Sequence, residues 1–153
     1  LYWIIISRNS KIGLQQESIK RLINSKQFDG SKLIFYGIDY NNSLVEAIKG
    51  LSEFRGYVRP EEFFISSRNF FQPDGYSEGF PHTLADAISS GCKICISKKK
   101  FIELGIYQFD IKYKEYDGFV FFSSLKNIKL KEFISLNAVN KKYSSYIMSL
   151  YNE

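Results

Sequence analysis

Leu1-Tyr2-Trp3-Ile4-Ile5-Ile6 is an unbroken apolar run. A strand with one wet face alternates apolar and polar residues, whereas a strand covered on both faces does not. The run therefore predicts a strand inside a parallel sheet. Lys32 to Gly37, Phe54 to Val58, Asn69 to Gln72, Lys93 to Ser97 and Gly118 to Phe122 read as further strands. Helical spacing lies between them. Ile19, Leu22 and Ile23 form a stripe within a helix expected over about 14–26. Shorter helices are expected over about 42–50, closed by Gly50 as a stop signal, over 60–67, over 81–90 and as a turn over 98–104. Two more, near 128–137 and 139–151, close the chain. Strands alternating with helices imply an α/β fold, a Rossmann-like three-layer sandwich whose mostly parallel sheet carries helices on both faces. One domain over 1–153 is the economical reading.

Composition narrows the function. The formal net charge is +5 and the chain is 44% hydrophobic, as in a globular domain. The charge favours anionic partners, but the one basic run, Lys98-Lys99-Lys100, reads as a solvated face, and no nucleic-acid motif is present. The many Phe and Tyr residues, in a chain also rich in Lys, Ile and Asn, read as compositional bias rather than a binding surface. Cys92 and Cys95 are spaced C-x-x-C, yet His82 is the only His and Cys95 lies in an apolar strand, so both read as structural thiols of a reducing compartment. No metal site is expected. No stretch reaches the roughly 20 apolar residues of a membrane span. The opening directly in a strand, without Met, suggests a domain that something precedes.

The chemistry concentrates in PDGYSEGFPHTLADAISSG, Pro73 to Gly91. A strand ends, Gly79 permits close backbone approach, and a helix starts at Pro81. The unpaired N–H groups and dipole of that helix make an anion site suited to a diphosphate. Asp86 lies about 8 Å along the axis from Pro81, at 1.5 Å per residue. Glu78 and Asp86 repel phosphate but accept hydrogen bonds from sugar hydroxyls; spacing alone leaves them equally readable as surface residues. His82 is open between a phosphate contact and an idle exposed position.

EGFPHTLADAISSGCKICIS resembles the signature of family 4 glycosyltransferases of the GT-B fold: a strand ending in Pro, an EGF segment, a second acid separated from the first by seven residues, then Gly and a buried strand. The wider order is similar over nearly the whole chain. A first strand runs into Ser7-Arg8-Asn9-Ser10-Lys11, a second ends at Gly37, and Phe54 to Val58 resembles the short strand near the base pocket. The resemblance implies that Glu78 contacts the transferred sugar. Backbone amides of Gly79, Phe80, Pro81's successors His82 and Thr83 would hold sugar and diphosphate oxygens. Asp86 would hold the ribose, Arg8 and Lys11 would neutralise the diphosphate, and main-chain groups of Tyr57, Val58 and Arg59 would meet the base. It implies a retaining, metal-independent hexosyltransferase that needs no cofactor beyond its UDP- or GDP-linked sugar donor. The expected acceptor is a glycan or a glycolipid precursor of cell-surface polysaccharide biosynthesis.

The implied setting is the cytoplasm, at the inner face of an anionic membrane. The implied missing partner is an N-terminal acceptor domain, without which transfer is weak or absent. A GT-B nucleotide-sugar epimerase and a non-catalytic GT-B-like binding domain are the alternatives. The chain departs from the pattern at Asp86, where the family has Glu. Lys11 also stands closer to Arg8 than usual, the usual second basic position falling on Leu14, and Lys98 to Gly105 replaces a Gly-rich loop.

Overall fold

The computed structural model describes residues 1–38, 44–59, 62, 69–75, 80–108 and 111–123. The expected helices near 128–137 and 139–151, and nearly all of the one over 60–67, lie outside the described residues. The chain runs β1 (Tyr2–Ile6), α1 (Asn9–Ile23), β2 (Lys32–Tyr36), α2 (Glu46–Gly50), β3 (Ser52–Phe54), β4 (Asn69–Gln72), α3 (His82–Ser89), β5 (Lys93–Ser97), α4 (Lys98–Glu103), β6 (Tyr113–Tyr116) and β7 (Phe119–Ser123). Single 3-10 turns follow α1 at Lys26–Phe28 and α4 at Ile106–Gln108.

The strands form one seven-stranded sheet in the order β3-β2-β1-β4-β5-β7-β6. The first five are parallel; β7 is antiparallel to β5 and to β6. The fold is thus α/β with a mostly parallel mixed sheet, as a Rossmann-like fold has. Pleating sends alternate side chains to two clusters. Ile4, Ile34, Phe70, Ile94 and Ile96 gather with Leu84, Ala87 and Ile88 of α3 and Phe101 of α4. Trp3, Ile5, Leu33, Phe35, Phe71 and Cys95 gather with Ile12, Ile19 and Leu22 of α1 and Ile48 of α2. This is why the strands read as apolar runs: their buried apolar residues serve one cluster or the other.

Four expectations need correction. Helix α1 begins at Asn9, not near residue 14, because Ile12 extends the buried stripe a turn earlier and is itself fully covered. Strand β3 occupies Ser52–Phe54, not Phe54 to Val58. Its pairing with β2 ends at Phe35–Phe54, where the two rings stack 5.3 Å apart, and the chain then turns at Gly56 with φ +60°. Helix α2 begins at Glu46, and Gly50 is its last helical residue rather than a cap beyond it. The single strand expected over 118–122 is one arm of a hairpin. Asp117 (φ 51°) and Gly118 (φ 79°) both take left-handed backbone between β6 and β7, the conformation of the tight turns that suit strand twist.

Phe35 is fully buried and stacked on Phe54. Phe35→Ala is expected to cost about 3–5 kcal/mol of stability, as core Phe truncations do, read as a lower urea midpoint with an unchanged slope.

Candidate functional site

The strand order places the site. From β1 the chain first moves outward through β2 to β3, then returns to the other side of β1 through β4 and β5. The crevice beyond the carboxyl ends of β1 and β4 is the topological switch point, where open α/β sheets bind ligands. Ser7 and Arg8 leave β1 there, and α1 starts at once. Pro73, Asp74 and Gly75 leave β4 there, and that connection delivers the start of α3.

Both helices open toward this crevice in an unusual electrostatic state. Arg8 is the N-cap of α1 in extended backbone, with no side-chain cap, and no acid lies in the first turn. Its carbonyl instead accepts from the amides of Lys11 and Ile12, at 2.9 and 3.1 Å. Pro81 is the N-cap of α3, so the helix starts at His82; it too has no side-chain cap and no first-turn acid. Acids are the residues that stabilise a helix start. Here the two helix starts and two cations, Arg8 and Lys11, add positive potential on positive potential. Arg8 is exposed, and its side chain makes no hydrogen bond or ion pair among the described residues. Such an arrangement favours an anion.

Of the expected site residues, the structure brings Arg8, Lys11, Phe80, Pro81, His82 and Thr83 to this end of the sheet. Phe80 packs on the cluster beneath α3, Pro81 is buried and His82 is exposed. Glu78 and Gly79 lie outside the described residues. Asp86 is one turn along α3 from His82 and stays open to water. Its carboxyl is raised above the usual 3.8 by partial desolvation, against which the His82 charge acts.

Tyr57, Val58 and Arg59 divide. Gly37 N donates to Gly56 O at 2.7 Å, which holds this segment at the carboxyl end of β2. Val58 packs on the α3-side cluster together with Ile6 and Phe80, so the segment after β3 and the start of α3 share one apolar floor. Tyr57 points to solvent, 84% exposed, and Arg59 is turned to Glu62 at 3.2 Å. Behind them Arg55 joins Glu53 at 2.7 Å and the Tyr36 hydroxyl at 3.3 Å; these partners hold its guanidinium charged.

Two residues not singled out from the sequence organise the loop. The Ser97 hydroxyl donates to Asp74 Oδ1 at 2.8 Å, and Ser97 Oγ itself accepts from Lys100 N at 3.0 Å as the cap of α4. Asp74 N donates to Ser18 Oγ of α1 at 2.9 Å. One strand away, the Ser7 hydroxyl donates to Gln15 Oε1 at 2.7 Å. Asp-Gly after a strand and Ser before a helix are turn and cap signals, but neither says that they meet. Cys92 and Cys95 are buried, and burial with the nearby Asp74 charge pushes the Cys95 thiol up, so it is an inert core group. No group of three or more His, Cys, Asp or Glu that could hold a metal occurs among the described residues, and none of their helices is long and apolar enough to cross a membrane.

Compared with known proteins, the chain matches no family model, no curated protein and no solved structure.

Two outcomes test this geometry. A carbon-detected NMR titration is expected to find the Asp86 midpoint above 3.8, and higher still in His82→Ala, because the imidazolium that favours ionisation is gone. Gly75 has φ +116°, and a Cβ there would sit 1.8 Å from the Leu14 carbonyl oxygen. Gly75→Ala is therefore expected to cost roughly 2 kcal/mol or more, while Gly50→Ala, where a Cβ meets nothing within 4 Å, gains up to about 1 kcal/mol. Thermal unfolding of the two variants reads the contrast.

Proposed function

We propose that this chain is the donor-binding domain of a retaining GT-B glycosyltransferase of the family 4 type, a three-layer sandwich corresponding to the carboxyl half of that fold. The observation that carries the reading is the reversal of strand order between β1 and β4. With it, a free Arg8 and two uncapped helix starts share the crevice where such sheets hold nucleotides.

In this reading a nucleoside diphosphate lies across the crevice. Its phosphate oxygens take the amides at the start of α3, from Phe80 to Thr83. Arg8, assisted by Lys11, balances the charge that grows on the diphosphate as the glycosidic bond breaks, which is where fixed cations accelerate a reaction most. Asp86 accepts from the ribose hydroxyls. Its side chain is one methylene shorter than Glu, so the nucleoside sits closer to α3. Glu78 orients the transferred sugar, and the main chain of Tyr57 to Arg59 meets the base over the floor of Val58. No metal is needed, because arginine and helix dipoles supply the positive charge. The acceptor, a glycan or a lipid-linked sugar at the inner face of a membrane, is presented by a separate acceptor domain, without which hexosyl transfer is slow.

Calorimetric titration with UDP, GDP and ADP tests the reading. One of the three is expected to bind without added metal, and Arg8→Ala to weaken it roughly tenfold or more by loss of a charge-assisted contact. Asp86→Ala is expected to weaken the nucleotide but not inorganic pyrophosphate. Failure of all three nucleotides to bind sinks the proposal.

A further inference from the structure

At the other end of the sheet lies an open cavity of about 570 Å³, away from the crevice at the strand carboxyl ends. Its floor follows from register. Asn69 pairs with Lys93, and Lys93 with Ser123. Trp3 stands one residue before the Ile4–Phe70 pair. These residues begin β4 and β5, end β7 and lie near the start of β1. Pleating puts them on the same side of the sheet, and the β6–β7 hairpin supplies the far wall.

The wall is aromatic. The Trp3 ring meets Phe121 edge-on at 5.9 Å, and Phe121 meets Tyr116 at 6.0 Å. The rim is cationic. Lys93, Lys112 and Lys114 all line the cavity, are exposed, and pair with no carboxylate among the described residues; no acid stands among the described lining residues. Trp3 Nε1 and Gln27 Oε1, from two of the lining residues, are buried without a hydrogen-bond partner. The volume is that of a small-molecule site, apolar walls with a few polar groups.

We infer that this cavity binds a small anion carrying an apolar, ring-sized body, its charge held by Lys93, Lys112 and Lys114 and its body against Trp3, Phe121 and Tyr116. Charge argues against the nearest competing occupant, the chain that continues beyond Ser123. Residues 124–153 carry five Lys and two Glu, a net of +3, the same sign as the rim. The inference stands independently of the glycosyltransferase reading, since no residue is shared with that site.

Trp3 is the only Trp in the chain, so its emission reports this cavity alone. The full-length protein is titrated with anilinonaphthalene sulfonate, an aromatic anion that accepts tryptophan emission, and in parallel with neutral phenylnaphthylamine. Saturable quenching of Trp3 by the sulfonate is expected. The double variant Lys93→Glu with Lys114→Glu is expected to weaken the sulfonate roughly tenfold or more, leaving the neutral dye within about twofold. Absence of quenching, as when the chain's own later residues fill the cavity, overturns the inference. So does an equal loss for both dyes, which would mean a disturbed apolar surface, or a sulfonate affinity indifferent to the charge reversal.

Discussion

The carbonyl of Leu14 leaves no room for a side chain at residue 75. Much of the candidate site depends on that contact. The loop leaving β4 leads on to α3, yet its first residues lie hard against α1. Asp74 completes the hold, its amide on Ser18 of α1 and its carboxylate on Ser97 at the end of β5. Ser97 in turn caps α4. One short segment thus ties two helices and two strands at the place where the strand order reverses. Each bond is worth only about 1 kcal/mol, but together they fix where the chain leaves β4.

That place holds a surplus of positive potential. Protein folding alone favours acids and capping side chains at helix starts. Neither α1 nor α3 has them, and α1 adds Arg8 and Lys11 instead. The arrangement sacrifices some helix stability for field strength, a trade that is common where a sheet receives phosphate.

The strands buried from both sides were legible because burial on both faces erases alternation: Tyr2 to Ile6, Asn69 to Gln72 and Lys93 to Ser97 follow their apolar runs closely. The start of α1 was not, because Asn9, Ser10 and Lys11 look like loop residues and Arg8 caps with backbone alone. Strand β6 was invisible for a different reason. All of Tyr113, Lys114, Glu115 and Tyr116 are exposed, so no buried face marks the sequence, although Asp117-Gly118 before an aromatic run is a hairpin signal. At the site, the Pro81 helix start and the basic segment after β1 could be read locally. The Asp74–Ser97 bond joins residues 23 apart and exists only once β4 and β5 are side by side. Glu78, on which the family resemblance leans most, is outside the described residues.

The two borders of the sheet deal differently with the same hazard. Unpaired strand backbone invites a strand from another molecule. On one border β3 is only 3 residues long, followed at once by the Gly56 turn, and carries the Glu53–Arg55 pair. On the other, β6 offers 4 residues, but Lys114 and Glu115 stand among them, with Glu115 tied to Lys98. A recruiting strand would have to desolvate those charges for very few backbone bonds. For a chain with 44% hydrophobic residues and 14 Phe, short charged borders lower the gain from sheet-to-sheet growth.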